Sequence, residues 1–125
     1  MSISTSARSA ARAALLAACI AGPALGGEAV VTAATARHSG GSWHFDITVR
    51  HADEGWEHYA DMWRISGPDG TVYGVRELFH PHVGEQPFKR SLTGVAIPDG
   101  VGRVTIEAHD LVHGWGRPFA LDLPR

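Results

Sequence analysis

Two histidines separated by a single proline, His80 and His82, are the residues whose spacing most directly suggests chemistry. Side chains two positions apart on an extended segment point the same way, so both imidazoles can face one point. Neutral imidazole is a common protein ligand for Zn²⁺ and also binds Cu²⁺. Pro81 restricts the backbone between the two rings and so reduces the entropy lost when an ion binds. This pair therefore predicts the centre of a metal site.

The other histidines also concentrate near predicted loops. The chain has eight histidines, whereas about three are typical of its length. Six of them flank or occupy the predicted loops 51–58, 80–87 and 110–116. Because hairpin strands alternate in direction, these loops should meet at one end of the domain. The predicted metal ligands are His80 and His82, with a third from His51, His58, His109 or His113.

The acidic residues of these loops allow other interpretations of the same cluster. Asp53, Glu54, Glu57, Glu85 and Asp110 would lie near the imidazoles. A histidine beside a carboxylate can belong to a structural hydrogen-bond network or to a pH-sensitive surface. If metal is bound, the scarcity of sulfur favours Cu²⁺ or Zn²⁺ over Cu⁺ as the cofactor.

Two tryptophans in the predicted loops suggest a different function. Trp56 and Trp115 would lie at the histidine-rich end, where they could stack on a sugar or a peptide. Alternatively, the rings of Trp56 and Trp115 have only a structural role and cover the end of the core. Trp43 and Trp63 fall at core positions of predicted strands. The second hypothesis is therefore a non-catalytic module that binds a protein or a glycan.

Catalytic motifs are missing from the sequence. It contains no GxSxG, no HExxH and no glycine-rich phosphate loop after a strand, so we predict a protein that is not an enzyme. The net charge of -2 is too small to favour nucleic acid or an acidic membrane as a partner.

Alternating polarity predicts an all-β fold. In 42–50, Trp43, Phe45, Ile47 and Val49 share one face that must be buried. Turn sequences separate similar stretches, and the predicted strands are 28–37, 42–50, 58–66, 71–79, 88–97, 103–109 and 118–123. About seven short strands without a helix are typical of an antiparallel immunoglobulin-like or fibronectin-like β-sandwich.

The first residues predict export. Arg8 and Arg12 precede the apolar run 13–21, and small residues follow, so 1–26 is predicted to be a signal peptide and 28–125 a single sandwich domain. The protein is then periplasmic or secreted. The residues 16–19, LAAC, also resemble a bacterial lipobox, and membrane attachment is expected only if Cys19 is lipidated.

Four sequence strings carry a resemblance to known proteins: GWEHYADMW, HPHVGEQPF within LFHPHVGEQPF, SLTGVAIP and AHDLVHG. With these strings the chain resembles a group of small, uncharacterised exported proteins of Gram-negative bacteria. The likeness runs from about His44 to Gly114. It implies export and a single domain, and it implies no activity.

Overall fold

The computed structural model describes residues 27–124, so the predicted signal peptide 1–26, with Cys19, lies outside the described residues. These residues form eight β-strands, whose bounds follow in chain order. They are β1 (Val30–Ser39), β2 (Ser42–Arg50), β3 (Ala60–Ser66), β4 (Val72–Glu77), β5 (Phe88–Val95), β6 (Arg103–Asp110), β7 (Gly114–Trp115) and β8 (Phe119–Asp122). No helix between residues 27 and 124 has the length and apolar character needed to cross a membrane.

The strands are arranged in two antiparallel sheets. One sheet has the order β1-β2-β5, and the other has β4-β3-β6 with both β7 and β8 paired to β6. The chain changes sheet after β2, after β4 and after β5, as in Greek-key sandwiches. The predicted all-β antiparallel sandwich is confirmed. The described strands number eight rather than about seven because the short β7 pairs within a stretch predicted to be a loop.

The core lies between the inner faces of the two sheets. Trp43, Phe45, Ile47 and Val49 of β2 are at most 2% exposed, as their alternation predicted. Across the sandwich they face buried side chains of the second sheet, including Trp63 of β3. Full burial of such a side chain contributes about 1.5–3 kcal/mol, so these rows of apolar groups hold the two sheets together.

One end of the sandwich collects the loops predicted to carry the histidines. Antiparallel pairing places Val30 opposite Arg50, and Ala60 opposite Asp110, so β1 begins where β2 ends and β3 begins where β6 ends. We call this end the histidine pole: Gly27 to Ala29, and the loops 51–59, 78–87 and 111–113. The loops touch each other, since the His82 amide donates to Asp53 and the Leu111 amide donates to the Tyr59 carbonyl. Strand count thus predicted their meeting correctly.

Candidate functional site

His51 and His58 lie at the two ends of the loop between β2 and β3, and each is oriented by a carboxylate. Nδ1 of His51 is 2.5 Å from Oδ1 of Asp53, and Nδ1 of His58 is 2.6 Å from Oε1 of Glu54. An ionised carboxylate only accepts hydrogen bonds, so both rings carry a proton on Nδ1. In the neutral rings, Nε2 is therefore the atom with a free electron pair. Metal-binding histidines in proteins are oriented by carboxylates in the same way.

The two Nε2 atoms converge beside a third ligand group. They are 3.2 Å apart, and Nε2 of His58 is 3.4 Å from Oδ1 of Asp110. Nε2 of His51 is 3.7 Å from Oδ2 of the same carboxylate. His51, His58 and Asp110 each offer one ligand atom, and all of these atoms lie within 4.8 Å of one another. The three residues form a cluster that could hold a metal ion.

Asp110 is the buried acid at the centre of this cluster. Its side chain is fully buried, and Oδ1 accepts hydrogen bonds from the amides of Val112 and His113 and a contact from Nδ1 of His113. Oδ2 has no hydrogen-bond partner within residues 27–124. A buried carboxylate oxygen without a donor is costly. A cation between Oδ2 and the imidazoles would satisfy it.

Local hydrogen bonds keep the Asp110 carboxyl ionised. Burial alone would raise the pKa of Asp110, but the amides of His113 and Val112 and the His113 side chain outweigh it, so the pKa lies below its ordinary value. The site therefore offers a fixed negative charge at neutral pH.

The charge of His58 responds to the same surroundings. The hydrogen bond to Glu54 raises the pKa of His58 above its ordinary value, desolvation opposes this, and the charge of Asp110 adds to it. In the absence of metal, a proton on Nε2 of His58 can separate the two facing nitrogens. A metal ion at that place must displace this proton.

His80 and His82, the predicted centre of the site, lie in the neighbouring loop and outside the three-residue cluster. Nε2 of His82 accepts a hydrogen bond from Arg90 at 2.8 Å, and its ring stacks on Phe88 with centroids 4.0 Å apart. Burial lowers the pKa of His82, and the charge of Arg90 adds to this. The His80 ring is exposed and lies 4.7 Å from the His82 ring. These contacts give His82 a structural role in closing the pole.

The last loop places its two predicted histidines differently. His113 lies 5.1 Å from His58 between ring centroids, and it donates to Asp110, so it lines the cluster. His109 projects from the outer face of β6, where Nδ1 is 2.6 Å from Oδ1 of Asp61 and the ring meets Trp115 edge-on. The three-residue cluster does not include His109.

The two loop tryptophans lie on different surfaces. Trp56 is 67% exposed and packs edge-to-face on Tyr59. Trp115 lies in β7 on the outer face of the second sheet, where the guanidinium of Arg64 sits 3.7 Å from its ring centroid. Each ring therefore has its own packing partner, Tyr59 for Trp56 and Arg64 for Trp115.

Two parts of the site were not predicted as such from the sequence. Asp110 was expected only as a nearby carboxylate, although its position beside His109 at the predicted end of β6 could have marked it. Gly27 was expected only as a residue near the export cleavage point. In the folded chain, its carbonyl oxygen lies 3.0 Å from Nε2 of His51. Because this contact joins residues that are 24 positions apart in the sequence, no short sequence pattern predicts it.

The chain is similar in sequence to a protein that is named as a lipoprotein. The chain is 39% identical over 90 residues to a protein of Halomicrobium mukohataei named "Putative lipoprotein". The match covers 71% of this chain and 44% of that relative, so the chain spans less than half the relative's length. No family model matches the chain. No solved structure matches it either.

Proposed function

We propose that this protein is an exported β-sandwich that binds a divalent transition metal ion through His51, His58 and Asp110. One observation carries the proposal: the Nε2 atoms of two carboxylate-oriented histidines face each other at 3.2 Å beside Oδ2 of Asp110, which has no hydrogen-bond partner among residues 27–124. Electron-pair donors held this close repel one another unless a cation lies among them. The described donors are two imidazoles and a carboxylate, a set that suits Zn²⁺ and Cu²⁺.

The spacing of the donors favours Zn²⁺ over Cu²⁺. With metal–ligand bonds of about 2.0–2.1 Å, the ligand atoms of a tetrahedral zinc site are about 3.3 Å apart. The two Nε2 atoms are 3.2 Å apart, close to that value, while the distances to Asp110 run to its two oxygens, 3.4 Å from His58 to Oδ1 and 3.7 Å from His51 to Oδ2. A square-planar Cu²⁺ site with similar bonds would place neighbouring ligands about 2.8 Å apart. Zn²⁺ has no electronic preference for geometry and therefore suits the cluster better.

Calorimetric titration of the exported protein with Zn²⁺ and then with Cu²⁺ tests the proposal. We expect one saturable site, lost in His58→Ala and retained in His80→Ala. His80→Ala is the matched control because it removes an exposed imidazole of the same pole from outside the cluster. Equal zinc binding in both variants, or loss only with His80→Ala, would refute the assignment of the ligands.

Export of the chain is supported by the relative named "Putative lipoprotein", since lipoproteins are exported across the cytoplasmic membrane. We propose that this protein is exported as well, either released into the periplasm or held by lipidation of Cys19. Fractionation of cells that express the wild type and Cys19→Ser separates these two outcomes. Membrane retention that disappears in Cys19→Ser supports the anchor, and equal release of both proteins supports the soluble form.

Exposed apolar side chains on the same pole favour a second function, binding of a protein partner. Trp56, Phe79 and Val83 are 67%, 73% and 66% exposed, and each lies on a loop of the histidine pole. Such groups are commonly found where a partner docks. Cross-linking in periplasm with a photoreactive residue at position 79, compared with position 75 on β4, would reveal a partner. Identical labelling at both positions would count against this function.

A further inference from the structure

We propose that the main-chain carbonyl oxygen of Gly27 is the fourth ligand of the metal ion, so that the chain itself closes the site. The inference rests on the proposed function, since it assigns one more ligand to the same ion. The Gly27 oxygen lies 3.0 Å from Nε2 of His51, where it can accept a hydrogen bond when Nε2 carries a proton, and an ion bound here would take the place of that proton. Nε2 of His51 thus has three electron-rich neighbours: this oxygen, Nε2 of His58 and Oδ2 of Asp110.

The distances from Nε2 of His51 to the other three groups are compatible with one coordination sphere. The known separations between them run from 3.0 Å for His51 and Gly27 to 3.7 Å for His51 and Asp110. They bracket the roughly 3.3 Å expected between ligand atoms of tetrahedral zinc.

Glycine is required at position 27 for this approach. Its φ is +95°, a conformation that side chains disfavour. A Cβ there would lie 2.7 Å from Cε1 and 2.8 Å from Nε2 of His113, inside van der Waals contact. The His113 ring thus packs directly against the main chain of Gly27, on the side of the cluster where Asp110 accepts its Nδ1 proton. Because residue 27 is a glycine, its main-chain carbonyl can approach the imidazole of His51 without a side chain in the way.

Closure by Gly27 determines which class of metal site this is. Two imidazole nitrogens, one carboxylate oxygen and one carbonyl oxygen saturate a four-coordinate ion. Catalytic zinc sites keep one position for water, whereas structural sites are filled by protein. The inferred site belongs to the second class, so the ion would hold the start of β1 against the ends of β2 and β6 and would not activate water.

Triple-resonance NMR of the ¹³C,¹⁵N-labelled exported protein, titrated with Zn²⁺ alone, tests the inference at the atom concerned. The Gly27 carbonyl carbon is read through the Glu28 amide, with the Gly41 carbonyl, in the turn between β1 and β2 at the opposite end of the sandwich, as reference. We expect both ring Nε2 resonances and the Gly27 carbonyl to move at one equivalent, with Gly41 unchanged. If the Nε2 resonances move and the Gly27 carbonyl does not, the fourth ligand is refuted and the metal site stands. If neither Nε2 moves, the metal site itself fails.

Two glycine variants give an independent measurement. Gly27→Ala should displace the carbonyl and weaken Zn²⁺ binding by at least about ten-fold, as loss of one ligand should. Gly41→Ala is the matched control, because Gly41 also has a positive φ of +88° but open space around its Cβ and a place at the opposite end of the sandwich. Equal zinc affinity of the two variants would overturn the role of Gly27.

Discussion

His51 and His58 face each other with their Nε2 atoms 3.2 Å apart, while each ring gives its Nδ1 proton to a carboxylate. This arrangement leaves one electron pair on each neutral ring directed at the other. A cation must separate them, and it is either a proton or a metal ion. The pole therefore has two states, one with a proton and one with a metal ion between the two rings.

Asp110→Asn should abolish tight zinc binding while the fold is retained. The amide oxygen of asparagine can still accept from Val112 and His113, but the buried negative charge and the free Oδ2 are lost. Zinc affinity should fall by about 100-fold or more, since binding energies of about 10–16 kcal/mol are shared by few ligands. Calorimetry measures the loss, and circular dichroism checks the fold. Wild-type affinity in this variant would exclude Asp110 as a ligand.

Glu54→Gln should weaken zinc binding without removing a ligand. Glu54 orients the His58 ring and makes it a stronger electron-pair donor, and losing such a partner typically costs about 10–100-fold in affinity. Because the Glu54 side chain is largely exposed, the lower end of that range is expected. Glu57→Gln, in the same loop, is the control, and it should bind zinc like the wild type. A similar loss in both variants would point to a general effect of loop charge.

The stability of the domain should depend on pH in opposite ways with and without metal. The pKa of His58 is raised in the fold, so its protonated form stabilises the metal-free domain below about pH 6.5. That contribution is lost as pH rises through the raised pKa. Zinc binding needs neutral His58, so zinc affinity should increase over the same interval. Thermal melts across this pH range, with zinc and with chelator, measure both trends, and parallel curves would argue against competition between proton and metal.

Zinc should raise the melting temperature substantially. A ligand at 100 times its dissociation constant stabilises a folded protein by about 2.7 kcal/mol, which corresponds to roughly 10–20 °C for a domain of about this size. Chelator should reverse the shift, and His51→Ala should melt at one temperature with or without zinc. An equal shift in His51→Ala would mean that zinc acts elsewhere on the protein.

The fold was largely predictable because its signal is local. Alternation in β2 predicted that Trp43, Phe45, Ile47 and Val49 would be buried, and they are. Gly94 has a φ of +76° where the pairing of β2 with β5 shifts register. These features depend on periodicity and on glycine's backbone freedom, and both can be read from neighbouring residues.

The choice among the histidines was not predictable in the same way. His80 and His82 have the most suggestive spacing, yet the His82 ring is engaged by Arg90 and Phe88, which follow later in the chain. His109 and Asp110 are adjacent, and strand parity sends His109 outward and Asp110 inward. The alternation of β6 in the sequence already points His109 outward and Asp110 inward, but it does not show that the Asp110 carboxylate meets His51 and His58.

The two sheets of the sandwich are joined at the histidine pole by residues from both. His51 directly follows β2 of the first sheet, and Asp110 ends β6 of the second. In antibody domains a disulfide cross-links the sheets between corresponding strands, but the single cysteine of this chain is Cys19. An ion between His51 and Asp110 would be a reversible counterpart of that cross-link. It would stabilise the sandwich by binding the folded domain and not the unfolded chain, and it could be withdrawn by a chelator where a disulfide would need a reductant.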